Sequence, residues 1–191
     1  MAQNDVIALI EQLNNGLDDN PDAEWQAAIA LGNIEDESDK VRAVQALIAL
    51  MESKNAHALT RAHAVEALGK LADQSAHAVL LDASENDTYQ LVRAYAIGSL
   101  ATLNNDENTV NMLLRIVRDD DFFGARAQAI GVASYIAGQL NNLNLIQNVR
   151  DTLNNRRPIE LALNEQGIVR VVAEIDRSLL ALNNADSEEE E

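Results

Sequence analysis

The sequence predicts an all-α fold, an α-solenoid of about five stacked helix pairs. Composition is the first of three observations behind this. Hydrophobic residues make up 47% of the 191 residues, yet aromatics only 3%, and there are two Pro. Ala and Leu dominate, which suits packed helices better than a sandwich of Val, Thr and aromatic strands. The second observation is a repeat in register on Glu24, Arg61, Arg93, Arg126 and Arg170, with separations of 37, 32, 33 and 44 residues. A period near 33 is the mark of a helical repeat array. The third is a set of amphipathic segments lying between those register positions.

The first helices of the pairs carry the register. Three residues on from each marker stands Ala27, Ala64, Ala96, Ala129 and Ala173. Eight on, a small residue recurs at Gly32, Gly69, Ala101, Ser134 and Ser178. Ten on, the residue is aliphatic: Ile34, Leu71, Leu103, Ile136 and Leu180. Gly inside a helix costs about 1 kcal/mol, so Gly32 and Gly69 imply close approach of a neighbouring helix. Each Arg is expected to bond a carboxylate in an adjacent turn. Asp87 lies six residues before Arg93 and Asp120 six before Arg126, as an interlocking ladder requires.

The second helices show one apolar stripe each. Residues 38–53 carry Val44, Leu47, Ile48 and Met51. Residues 74–83 are a shorter version with Val79 and Leu80. Residues 107–118 carry Val110, Leu113, Leu114 and Val117, and residues 142–153 carry Leu145, Ile146, Val149 and Leu153. Asn20-Pro21 offers an N-cap with Pro at the first helical position. Asp87 and the run Asp119–Asp121 stand where caps for the next helices belong. The tripeptide Leu-Asn-Asn begins at 13, 103, 140, 153 and 182. It reads as a helix ending, since Asn tolerates the left-handed conformation that stops a helix. The stretch Asn154-Asn155-Arg156-Arg157-Pro158, inside the longest separation, reads as a loop insertion.

Charge and residue content exclude several functions. Net charge is −17, which disfavours nucleic acid and anionic membrane as partners. With no Cys, there are no disulfides, thiolate metal sites or thiol nucleophiles. No apolar run reaches the roughly 18 residues of a membrane span. The opening stretch has no basic region or cleavage site, so no secretory signal is expected, and a cytoplasmic protein fits. The domain expected is 1–182, with 183–191 a disordered acidic tail.

The segments LTRAHAVEALGKLAD (59–73) and LVRAYAIGSLATLNN (91–105) resemble the HEAT-like repeat, in which Arg opens the first helix and Ala-Leu-Gly follows. The resemblance covers nearly all of 20–182. FFGARAQAI, Phe122 to Ile130, is similar to a segment of phycocyanobilin lyase subunits. Those cyanobacterial proteins help attach linear tetrapyrroles to Cys residues of phycobiliproteins, or otherwise handle the pigment. The resemblance implies a non-covalent binding solenoid that acts as a bilin lyase subunit or chaperone-like accessory. Its expected partners are a phycobiliprotein subunit and a second repeat-type lyase subunit, with a bilin as ligand and no permanently bound cofactor. The alternative is a protein–protein adaptor with no pigment role.

The same resemblance implies that second helices line a concave, partner-facing surface. The flank opposite the apolar stripes holds Asn111, Arg115 and Arg118 on 107–118, and Gln147 and Arg150 on 142–153. On 38–53 the equivalent places hold Gln45, Ala49 and Glu52, with Arg42 a turn earlier. Arg115, Arg118 and Arg150 are expected to converge as a basic patch for carboxylates; the alternative is ordinary surface charge balanced by Asp119, Asp120 and Asp151. Phe122 and Phe123 stand adjacent at a turn, where one is expected to staple the helix start and the other to meet a partner. Trp25, Tyr95 and Tyr135 are expected to pack. Some HEAT-repeat enzymes hold two irons through His-Glu pairs; here His63 and Glu66 stand i, i+3 without a second such pair, so no metal site is expected.

Overall fold

The structure, a computed structural model, describes residues 3–15, 20, 22–53, 55–163 and 168–187. Among these the chain is all-α. In order come α1 (Gln3–Asn15), α2 (Ala23–Leu31), α3 (Glu37–Ser53), α4 (Ala58–Leu71) and α5 (His77–Asn86), the last entered through a 3-10 turn at Gln74–Ala76. Then follow α6 (Gln90–Leu100), α7 (Glu107–Asp119), α8 (Phe123–Leu140), α9 (Leu143–Leu163) and α10 (Ile168–Ser187). The five register positions fall on the even-numbered helices, and the amphipathic segments fall on α3, α5, α7 and α9. The chain divides into two compact units, Met1–Leu103 and Asn104–Glu191. The domain expected over 1–182 spans both.

In the first unit, α2, α4 and α6 pack side by side through the small residues of the repeat. A Cβ on Gly32 would lie 2.7 Å from the Ala67 Cβ and 2.8 Å from its Cα. On Gly69 it would meet Ser99 at 2.5 Å. This contact is also bonded: the Ser99 hydroxyl donates to the Val65 carbonyl at 2.8 Å, and Thr102 to the Gly69 carbonyl at 2.9 Å. Leu31, Leu47, Leu68, Leu80, Ile97 and Leu100 are fully buried between the two helix rows, each contributing about 2 kcal/mol of transfer free energy. The expected ladder is present here. Arg61 grips Asp87 with Nε and Nη2, both at 2.7 Å. Asp87 also accepts the Tyr89 N–H at 2.8 Å, and Arg93 donates to the Asp87 carbonyl at 3.2 Å. One aspartate therefore ends α5, starts α6 and holds α4.

In the second unit α8 is the central helix, buried along most of its length and packed against α7, α9 and α10. Asp120 repeats the role of Asp87 at the chain turn: it accepts the Phe122 N–H at 2.8 Å, and Arg126 donates to its carbonyl at 3.0 Å. The carboxylate that Arg126 grips is a different one, Glu160 of α9, at 2.7 and 3.1 Å.

Several boundaries depart from expectation. The Leu-Asn-Asn reading holds at α8, where Asn141 has φ 48° and its N–H bonds the Gly138 carbonyl at 3.2 Å. It fails at 153–155 and 182–184, because α9 and α10 run through both. The expected loop insertion at 154–158 is helix, with Pro158 inside α9. Pro removes one N–H and crowds the preceding turn, but the turn it sits in carries Glu160, and the bonds of that buried carboxylate exist only if the helix continues. The fifth repeat is out of register: Ala173 and Leu180 are exposed, while Val171, Ile175, Ser178 and Leu182 are buried. Arg170 is likewise exposed. The N-cap of α2 is Asp22, whose N–H bonds the Asn20 side chain at 3.1 Å. Pro21 and the tail residues Glu188–Glu191 lie outside the described residues, and α10 passes the expected stop at Leu182 to reach Ser187.

Candidate functional site

On α7 the residues buried range almost all the way round: Thr109, Val110, Met112, Leu113, Leu114, Ile116 and Val117. Besides Glu107 and Asn108 at the start and Asp119 at the end, what remains is one stripe, Asn111, Arg115 and Arg118, at i, i+4 and i+7. It lies beside a matching stripe on α9. Asn148 donates to the Asn111 side chain at 3.3 Å, and Arg156 donates through Nη1 to the Arg118 carbonyl at 2.9 Å. Between the helices, toward their distal ends, lies a cleft of about 330 Å³ lined by Arg118, Thr152, Asn155, Arg156 and Ile159.

The cleft rests on an ion cluster. Glu160 is fully buried and accepts both Arg126 and, at 2.6 Å, the Arg156 Nε. Arg126 is 2% exposed. Guanidinium groups on both of its oxygens offset the cost of burying that carboxylate. Two guanidinium groups thus meet on one carboxylate, and one of them, Arg156, also lines the cleft. Arg118 has no hydrogen-bond or ion-pair partner for its guanidinium among the described residues. Thr152 is 8% exposed, and its hydroxyl has no partner among them either. Ile159, 49% exposed, gives the cleft an apolar wall.

The expected site residues divide. Asn111, Arg115 and Arg118 share the α7 stripe. Arg150 does not join them. It lies on the opposite flank of α9 and donates through Nη2 to the Leu182 carbonyl of α10. Arg157 follows it, gripping Asp176 of α10 at 2.6 and 3.0 Å. That pairing holds the Asp176 carboxyl below the usual carboxylate range. Gln147 points to solvent and bonds Asp151 at 2.9 Å. The mismatch follows from helical rotation: 150 and 157 stand about 140–180° from 148, 152, 155 and 159. The residues that face α7 are therefore Asn148, Thr152, Asn155 and Arg156. Two of these, Asn155 and Arg156, fall in the stretch whose sequence reads as a helix end and loop. Arg42 lies on α3 of the first unit, 3.4 Å from Asp39.

Phe122 and Phe123 pack on each other, with ring centroids 4.9 Å apart. Both are half-buried. Phe122 covers Gly124, whose added Cβ would meet the ring at 2.4 Å, which explains Gly in the Phe-Phe-Gly motif. Tyr95 and Tyr135, expected to pack, are 42% and 54% exposed; each sits on the outer side of its helix. Trp25 packs on the His63 ring, centroids 5.4 Å apart. His63 Nδ1 is 3.5 Å from Glu66, and among the described residues no three His, Asp or Glu side chains are grouped to hold a metal. Among the described residues no helix is long and apolar enough to cross a membrane.

Residues 6–101 match the family described as HEAT repeats. Among solved structures, a chain from the complex of CpcE and CpcF of phycocyanin lyase from Nostoc sp. PCC7120 is similar in fold, with a TM-score of 0.64 at 22% sequence identity. The similarity covers 91% of this chain and 96% of that one. Among curated proteins nothing matches.

Proposed function

The chain belongs to the HEAT-repeat family, and from that premise we propose that it is a protein-binding solenoid serving as a phycobilin lyase subunit, or a chaperone-like accessory, in chromophore attachment to a phycobiliprotein. The observation that supports this best is the likeness in fold over nearly the full length of a chain from a phycocyanin lyase complex. The Phe-Phe-Gly-Ala-Arg segment at the start of α8 agrees with it. The related structure is a complex of two subunits, so a second repeat-type subunit is the first partner to seek.

The chain contributes positioning, not covalent chemistry. It has no Cys, so the acceptor thiol belongs to the phycobiliprotein. Holding pigment and thiol together raises their effective concentration by many orders of magnitude. The α7–α9 face offers both charge and an apolar wall for that work.

The test is co-expression of a phycobiliprotein subunit, a bilin source and a second repeat-type subunit, with and without this chain. Pigment on the acceptor Cys is read by mass spectrometry. A covalent adduct that depends on this chain is the expected outcome. Equal adduct without it, alongside retained binding to another protein, would replace this reading with that of an adaptor.

A further inference from the structure

The cleft between α7 and α9 presents an unusual balance of charge for this protein. The chain as a whole carries −17. Under the cleft, Arg126 and Arg156 share the single carboxylate of Glu160. At its rim the Arg118 guanidinium has no partner among the described residues. Arg156 commits Nε to Glu160 and Nη1 to the Arg118 carbonyl, which fixes its plane and leaves Nη2 for a ligand. The Thr152 hydroxyl and Asn155 amide complete a set of donors. Of the acids nearby in sequence, Asp120 bonds the start of α8, and Asp151 accepts from Gln147 on the solvent side. A fixed guanidinium fork, a second cation and a hydroxyl match a carboxylate. The Ile159 wall matches an apolar body next to it.

We propose that this cleft is a carboxylate subsite that takes a propionate arm of a linear tetrapyrrole, with the adjoining pyrrole ring against Ile159. The proposal rests on the reading of the chain as a bilin-handling protein. Size fits a part of the pigment rather than all of it: about 330 Å³ is at the low end for small-molecule pockets. The rest of the pigment stays outside, open to a phycobiliprotein. With no Cys in the chain, the pigment is held reversibly, as a transfer step requires.

The experiment titrates phycocyanobilin and its dimethyl ester into the full chain, following the visible absorption band, at low and moderate salt. The ester keeps the apolar body and removes both charges. The wild type is expected to bind the free acid about tenfold more tightly than the ester, the worth of one charge-assisted pair, and added salt should narrow the gap. Arg118→Gln, at an exposed position, should erase the preference with the circular dichroism spectrum unchanged. Thr152→Val should reduce it. Arg177→Gln, a cation on the exposed side of α10, should leave it intact. Equal binding of acid and ester by the wild type, or a preference that survives Arg118→Gln, overturns the subsite while leaving pigment handling in place. A protein carboxylate has the same chemistry, so a second arm titrates the pigment-free phycobiliprotein subunit. If Arg118→Gln weakens that binding and spares the acid preference, the cleft takes a protein side chain and the proposal is overturned. If neither pigment form binds, the bilin-handling reading falls with it.

Discussion

Glu160 and Asp73 illustrate two ways in which a single carboxylate acts on stability. Glu160 is buried between two guanidinium groups, and removing it strands both. Glu160→Ala is expected to cost about 3–5 kcal/mol, the usual penalty for breaking a buried pair, read by urea unfolding. Asp73 sits at the surface, where its carboxylate accepts the Ser75 hydroxyl at 2.6 Å and the Ser75 N–H at 2.8 Å. The hydroxyl bond, then the backbone bond, lower its pKa below the ordinary aspartate value. A depressed folded-state pKa means stability that is complete above about pH 4 and is lost as pH falls through the lowered value. Ser75→Ala should move the Asp73 carboxyl titration upward in an NMR experiment; no movement would show that the backbone alone sets it. Residues of the ladder were legible because the same Arg recurred at the same place. Glu160 was not, because it lies 34 residues from Arg126 in a stretch whose Asn, Arg and Pro content reads as a loop.

Helix ends and helix contacts turn on single small residues. Asn141 and Ala72 both end a helix in the left-handed region, with φ 48° and 51°. Asn is at ease there and Ala is not, since its Cβ crowds the following carbonyl at a cost of about 1–2 kcal/mol. Ala72→Gly is therefore expected to stabilise the protein by up to about 1 kcal/mol. Gly138 gives the converse case. It is helical, and an added Cβ meets nothing within 4 Å. Gly138→Ala should stabilise by about 0.5–1 kcal/mol, whereas Gly69→Ala, which drives into Ser99, should destabilise. Thermal unfolding of the three variants distinguishes the signs, and a stabilised Gly69→Ala would show that α4 and α6 can part without loss. The helix pattern itself was readable from period and apolar stripes. The fifth repeat was not, because the preceding separation of 44 residues let a chance Arg and Ala mimic the register while Val171 and Ile175 took the buried places.

At the scale of the whole molecule, charge is the dominant long-range term. A net −17 repels itself in the folded state more than in the expanded one. Raising ionic strength from about 10 mM to 150 mM shortens the screening length to about 8 Å, and the melting temperature is expected to rise. A fall would mean that local pairs such as Arg61 with Asp87 outweigh the global repulsion. The same salt that steadies the fold should weaken binding of anions at Arg118, so stability and affinity are expected to move in opposite directions. Arg156 has a consequence of another kind. The charge at the cleft is set in the interior, by how many guanidinium groups draw on Glu160. Exchanging Arg126 for a neutral side chain changes none of the residues that line the cleft, yet it removes one guanidinium from the carboxylate that Arg156 draws on. Ligand preference in this protein can thus drift through a buried position that no inspection of its surface would single out.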